Sequence, residues 1–215
     1  MLDHVSADLS RRHPGIQFEV VDAGVNGNTI ADIQARLGDD VIALKPSAVV
    51  LYWDSDVSDV DESRLPPPEA AIRRAAYQRA LHDVVKRLID TGAHVVMSGP
   101  TLIGEAPRGR NPKDRMLDDY RRINRAVARS FNLAYVDTRR AFLTQLAQTT
   151  PTTQHAGADP GRTRLTEDGE HLNEAGAEVA RRLFVAALDG WLRARPAPAA
   201  RAPGDASGPS LRPTP

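Results

Sequence analysis

Short apolar runs alternate along this chain with longer stretches in which apolar residues recur at helical spacing. The candidate strands are residues 17–21, 48–53, 94–98 and 133–136. The candidate helices are the residues before Pro14 and residues 30–44, 69–90, 115–131, 139–147 and 174–192. Nearly all-apolar strands are buried on both faces, and strands separated by helices pair in parallel. The sequence therefore predicts an α/β fold, a parallel sheet with helices on both faces.

The chain has 215 residues, of which 41% are hydrophobic, and this is enough material for one substantial core. We expect a single domain at residues 1–194. The composition then changes to proline, alanine, glycine and serine. Such a segment cannot bury enough apolar surface to order itself, so residues 195–215 are predicted to form a disordered tail.

Charge and composition argue against several classes of partner. The formal net charge is zero, which gives no indication of nucleic acid or an anionic membrane as partner. No apolar run approaches the roughly 20 residues that a transmembrane helix needs. The absence of cysteine removes disulfides, thiolate metal sites and cysteine nucleophiles. The first residues lack a signal-peptide pattern, and the compartment stays unassigned.

A carboxylate, Asp168, precedes a histidine, His171, by three residues. Ligands of parallel sheets bind at the carboxyl ends of the strands. We therefore expect the binding site among loops 22–29, 54–68 and 99–112 and the segment before Asp168. A carboxylate bonded to one imidazole nitrogen fixes the tautomer and leaves the other nitrogen free to take a proton. The alternative is a helix entry, in which Thr166, Asp168 or Asn173 is a cap and the histidine is merely exposed.

Several segments together resemble the SGNH or GDSL hydrolases, a family of ester hydrolases. DGEHLNEAG at 168–176, followed by an apolar helical stripe, resembles the last conserved block of that family, and VVDAGVNGNT at 20–29 resembles the second. The strands at 48–53, 94–98 and 133–136 lie where the family has its third to fifth strands. The resemblance covers about residues 1–192. It implies a flavodoxin-like sheet, hydrolysis of small-molecule, lipid or carbohydrate esters through an acyl-enzyme, and no cofactor.

The resemblance also implies roles for individual residues. His171 would act as general base and then acid, Asp168 would orient it, and Gly27 would donate a backbone N–H to the oxyanion hole. Aligned without gaps, the oxyanion asparagine of the family is replaced by Asp56. Because an ionised carboxylate cannot donate a hydrogen bond, Asp56 is either protonated or serves another purpose. A shift of one residue would place Ser55 there instead.

The family block that carries the serine nucleophile, Gly-Asp-Ser, has no counterpart here. Ser6 and Ser10 lie in the first helix and Ser98 follows a strand, so all three are poor substitutes. The missing block would include a central strand between those at 17–21 and 48–53, and its loss would leave a slot of roughly 9.6 Å. We therefore expect either native residues upstream of Met1 or direct pairing of these two strands. The chain as printed is predicted to be inactive.

The acidic run at 54–62 suggests a further possibility. Asp54, Asp56 and Asp59 could offer oxygen ligands to Ca²⁺ or Mg²⁺. Their spacing does not follow the EF-hand pattern, so a solvated loop without metal is the favoured interpretation. Three functions remain open: an ester hydrolase, a non-catalytic binding or scaffold domain of the same fold, and a metal-dependent phosphoesterase.

Overall fold

The centre of the protein is a parallel sheet of three strands in the order β1-β2-β3. A computed structural model describes residues 2–58, 61–105, 109, 111–149 and 165–195. The strands are β1 (Ala48–Leu51), β2 (His94–Ser98) and β3 (Ala134–Val136). Ala48 pairs with His94, and Val96 pairs with Ala134, both in parallel register. The predicted α/β class and parallel pairing are confirmed.

Helices connect the strands and flank the sheet. They are α1 (Leu2–Arg12), α2 (Ile30–Asp40), α3 (Ser55–Ser58), α4 (Pro67–Asp90), α5 (Asp114–Ser130), α6 (Thr138–Thr149) and α7 (Glu174–Ala194). The helix predicted over 30–44 ends at Asp40, and a short 3₁₀ turn follows at Ile42–Leu44. The short helix α3 was not predicted. No helix among the described residues is long and apolar enough to cross a membrane.

The core is divided by the sheet into two layers. Val95 and Met97 lie in one cluster with the buried side chains of α2, α4 and α5. Val96 lies in the other cluster, with Val5 of α1 and side chains of α6 and α7. This division follows from the strand itself, because successive side chains point to opposite faces. Helices therefore cover both faces, as the sequence predicted.

The strand predicted at residues 17–21 is absent from the structure. These residues follow α1 without regular secondary structure, and the side chains of Val20 and Val21 are exposed. Within the described residues, β1 pairs only with β2, so the predicted pairing of 17–21 with 48–53 is wrong. A strand needs a neighbour for its backbone groups, and an apolar run without that neighbour stays irregular. The alternative, an upstream strand, stays a prediction.

The predicted domain limits are not tested by these elements. Helix α7 ends at Ala194 and Arg195 follows in an extended backbone conformation. Residues 196–215, which hold nearly all of the predicted tail, lie outside the described part of the chain.

Candidate active site

Asp168 and His171 form a close pair within one turn. The Nδ1 atom of His171 lies 2.6 Å from Oδ2 of Asp168. The other carboxylate oxygen accepts the backbone N–H groups of Glu170 at 2.9 Å and His171 at 2.8 Å. Gly169 permits the turn because its φ of 97° lies in a region that other residues rarely adopt. The contact expected from the spacing is therefore present.

The pair changes the pKa values of both groups. The hydrogen bond from the His171 side chain, followed by the two backbone N–H groups, lowers the pKa of Asp168 far below its usual range. The same hydrogen bond, with the negative charge of Asp168, raises the pKa of His171. The Asp168 side chain is 55% exposed and the His171 side chain 65%, so solvent reaches both. With Nδ1 directed at the carboxylate, Nε2 is the nitrogen that can exchange a proton with another molecule.

The segment 165–173 closes on itself at the start of α7. Thr166 and Leu172 form an antiparallel bridge, and the N–H of Asn173 donates to the Leu165 carbonyl at 3.1 Å. The Asn173 side chain caps α7 by accepting the N–H of Gly176 at 3.0 Å. The cap considered as an alternative and the Asp168–His171 pair are thus both present, in one segment.

Asp56 accepts two hydrogen bonds from within the fold. It is 8% exposed, and its Oδ2 accepts the backbone N–H of Ile30 at 2.7 Å and the indole N–H of Trp53 at 3.0 Å. Burial raises its pKa, and these two hydrogen bonds oppose that change. Since Ile30 begins α2, the carboxylate satisfies an amide that the helix leaves unpaired. The carboxylate thus makes a structural contact at the start of α2, and its expected place at the oxyanion hole stays a prediction.

Gly27 and Ser55 are the other two residues expected at the oxyanion hole, and no described hydrogen bond connects either of them to His171. Gly27 is exposed, and its φ of 77° places it in the left-handed region. Ser55 begins α3, and its side chain lies outside the described part of the structure. Among the described residues, no hydrogen bond joins His171 to loop 22–29. The roles of Gly27 and Ser55 stay predictions.

Asp54 joins the end of β1 to the loop after β2. Its carboxylate accepts the backbone N–H of Thr101 at 3.1 Å and also the Thr101 hydroxyl. The pKa of Asp54 is raised to about 6, chiefly by burial and less by the charge of Glu170, against the hydrogen bonds from Thr101 and the charge of Arg139, which lower it. The solvated loop expected here is therefore wrong for Asp54, as it is for Asp56. Asp59 lies outside the described residues, and no metal-binding cluster of acidic residues and histidines occurs within them.

Replacing Asp54 with asparagine should stabilise the protein at pH 8 by up to about 3 kcal/mol, with little effect near pH 4. The folded-state pKa of about 6 lies above the ordinary aspartate value. Between the ordinary aspartate pKa and about pH 6, the folded protein therefore binds more protons than the unfolded chain. The free energy of unfolding of the wild type falls as the pH rises through this range. Urea unfolding at both pH values measures the difference, with the exposed Asp39→Asn as control. If Asp54→Asn were more destabilised at pH 8 than at pH 4, the raised pKa of Asp54 in the folded protein would be contradicted.

Two of the three candidate serines donate hydrogen bonds to backbone carbonyls. Ser98 is 1% exposed, and its hydroxyl donates to the Leu51 carbonyl at 2.9 Å. The Ser6 hydroxyl donates to the Phe18 carbonyl at 3.4 Å. In the described part of the chain, no hydrogen bond links a serine hydroxyl to His171. The nucleophile that the pair would serve is therefore not identified among these residues.

Comparison with known proteins gives a consistent set of relatives. Residues 2–179 match the sequence profile of the GDSL-like Lipase/Acylhydrolase family. An acetylxylan esterase of Geobacillus stearothermophilus is 27% identical over 190 residues, which span 87% of this chain and 80% of that enzyme. An α/β hydrolase enzyme from the metagenome of Lake Arreo, Spain, is similar in structure, with 27% identity and a TM-score of 0.68. The match covers 89% of this chain and 81% of that one.

Solved structures of an acetylxylan esterase from Geobacillus stearothermophilus add detail. One superimposes with a TM-score of 0.69 at 26% identity and covers 86% of this chain and 78% of that enzyme. Variants described as catalytic mutants replace a serine, an aspartate or a histidine by alanine. The aspartate and the histidine are three positions apart in that enzyme, and the serine lies far ahead of both.

Proposed function

The chain belongs to the GDSL-like lipase/acylhydrolase family, and from that premise we propose that its site hydrolyses acetyl esters of carbohydrates. The observation that carries the proposal is the contact between Asp168 and His171 at 2.6 Å. The same two residue types, at the same spacing, are replaced in the catalytic mutants of the similar acetylxylan esterase. An acetyl group on a sugar is a small ester, and the exposed imidazole is accessible to a substrate of that kind.

In the proposed reaction, His171 takes the proton of a serine hydroxyl through Nε2 while the serine oxygen attacks the ester carbonyl. The developing oxyanion accepts hydrogen bonds from backbone N–H groups, for which Gly27 is our candidate. The imidazolium then protonates the leaving sugar oxygen, and an acetyl-enzyme forms. Water, activated by the same imidazole, releases acetate. Asp168 keeps the ring oriented and stabilises its positive charge in both steps.

We further propose that the nucleophile is not supplied by the printed chain. Two observations support this. Ser98 and Ser6 donate to backbone carbonyls, and the described residues place no serine on His171. In the similar acetylxylan esterase, the serine of the catalytic mutant precedes the aspartate by most of the chain. A strand carrying this serine would also provide β1 with a second neighbour.

Two experiments test these proposals in sequence. The genomic DNA upstream of the Met1 codon should encode an in-frame strand followed by Gly-Asp-Ser. The printed chain and the longer chain are then assayed on p-nitrophenyl acetate and on acetylated xylan. Only the longer chain should show turnover that depends on His171. If no upstream strand exists and neither substrate is hydrolysed, a non-catalytic binding domain replaces the esterase.

Activity of the longer chain should rise with pH, with a midpoint above the ordinary histidine value of about 6.5. The reason is that Asp168 raises the pKa of His171, and only the neutral ring can act as a base. In Asp168→Asn the midpoint should move down towards about 6.5, and the rate should fall by about 10⁴-fold because the tautomer is no longer fixed. The measurement is kcat/KM between about pH 5 and 9. An unchanged midpoint in Asp168→Asn would exclude this role of the carboxylate.

A further inference from the structure

The segment 165–173, which carries Asp168 and His171, rests on the loop that follows β2, and one side chain of that loop, Glu105, makes several of the contacts. A single oxygen of Glu105, Oε1, accepts three hydrogen bonds from the first residues of that segment. The donors are the backbone N–H of Leu165 at 2.7 Å, the backbone N–H of Thr166 at 2.7 Å, and the Thr166 hydroxyl at 2.8 Å. Hydrogen bonds to a charged acceptor are stronger than those between neutral groups.

These contacts continue into the turn that holds the Asp168–His171 pair. The Thr166 hydroxyl oxygen accepts the N–H of Gly169 at 3.1 Å. The N–H of Gly104, the residue before Glu105, donates to the Gly169 carbonyl at 2.6 Å. The turn between Asp168 and His171 is therefore held at its middle residue from both sides, by Thr166 and by Gly104.

The loop that bears Glu105 is itself fixed to the sheet. Thr101 is buried and bonded to Asp54 at the end of β1, and Leu102 is 1% exposed. The Asn111 side chain donates to the carbonyl of Gly104 at 3.1 Å. Hydrogen bonds thus fix both ends of the 101–105 loop, to Asp54 after β1 at one end and to segment 165–173 at the other.

We propose that Glu105 is a positioning residue for the proposed esterase reaction, and that it holds segment 165–173 on the 101–105 loop so that the His171 ring keeps its place relative to the sheet. The Asp168–His171 contact is local to its turn and cannot by itself fix where the turn lies. The contacts of Glu105, together with the Gly104–Gly169 hydrogen bond, fix that position, because they join the segment to a loop about 60 positions away. The expected effect on catalysis rests on the proposed function, whereas the positioning of the segment rests on the described hydrogen bonds alone.

The test uses the full chain with Glu105→Gln, Glu105→Ala and Thr166→Val, and Glu178→Gln is the matched control. Glu178 accepts from Arg181 on α7, away from the 101–105 loop. In Glu105→Ala, the amides of Thr166, Gly169 and His171 should exchange with deuterium at least about tenfold faster. The His171 pKa, followed by NMR titration of the ring, should fall towards about 6.5. Amides of α4 should exchange as in the wild type.

The variants separate positioning from general loss of structure. Glu105→Gln keeps an acceptor oxygen without the charge and should give a smaller effect in the same direction. Thr166→Val removes the hydroxyl that joins Glu105 to Gly169, and should accelerate exchange at Gly169 in particular. If Glu105→Ala does not fold, these two variants decide the outcome. Unchanged exchange and an unchanged His171 pKa in folded variants would overturn the proposal.

The readouts do not require catalysis, so they are independent of the esterase assays. In an active longer chain, Glu105→Gln should lower kcat several-fold with little change in KM, because the substrate still binds while the base is misplaced. Activity without an effect of Glu105 would refute this inference alone. Effects on exchange and His171 pKa without any His171-dependent hydrolysis would refute the esterase and leave the positioning contact.

Discussion

Replacing His171 with alanine should lower kcat/KM for acetyl ester hydrolysis by about 10⁴-fold or more in a form of the protein that carries the serine. In the proposed reaction the imidazole removes the serine proton and returns it to the leaving oxygen, so the residual rate would come from binding and oxyanion contacts alone. Steady-state rates on p-nitrophenyl acetate and acetylated xylan measure the loss. KM should change little, because the ring contributes chiefly to the transition state.

The exposure of the site allows a sharper control. Because the His171 side chain is 65% exposed, the space left in His171→Ala is open to small molecules. Added imidazole should therefore restore part of the rate, and should do so with the pH dependence of free imidazole. His82→Ala, which removes an exposed histidine on α4, should keep full activity. A loss in His82→Ala equal to that in His171→Ala would indicate a general effect on folding.

The parts of the fold that could be predicted are those fixed by local periodicity. Helix α4 was expected at 69–90 and is found at Pro67–Asp90, with Leu81, Val84, Val85 and Leu88 completely buried. Strand β2 has its predicted limits because an apolar run between two long helices has few alternatives. The run at 17–21 has the same local character and forms no strand. Periodicity describes the side chains of a strand, whereas a strand also requires a neighbouring backbone.

The same distinction applies to the site. The Asp168–His171 contact could be predicted because three residues of chain bring the two groups together. The contacts that place it could not: Glu105 and Thr166 are separated by 61 residues, and Asp54 and Thr101 by 47. The acidic run predicts a solvated loop because nothing in the sequence shows that Asp54 and Asp56 accept N–H groups of Thr101 and Ile30. Partners across the fold become visible only when loops from different strands meet.

Replacing Gly176 with alanine should destabilise the protein by about 3 kcal/mol. Gly176 is buried in the first turn of α7, and a methyl group there would overlap the carbonyl oxygen of Leu165. That oxygen accepts the N–H of Asn173, and the next residue, Thr166, is held by Glu105. Since neither neighbour can move without breaking these contacts, the substitution should displace the whole 165–173 segment.

Gly190 on the same helix provides the matched control for this prediction. It is exposed, and an added methyl group meets nothing within 4 Å. Gly190→Ala should therefore raise stability by roughly 0.5–1 kcal/mol through helix propensity, which is the effect Gly176→Ala would have without the clash. Urea unfolding compares the two variants, and NMR titration of His171 reports on the segment. A Gly176→Ala protein as stable as Gly190→Ala would show that the Leu165 carbonyl does not need the space that glycine leaves, and that α7 does not fix the turn at Asp168–His171.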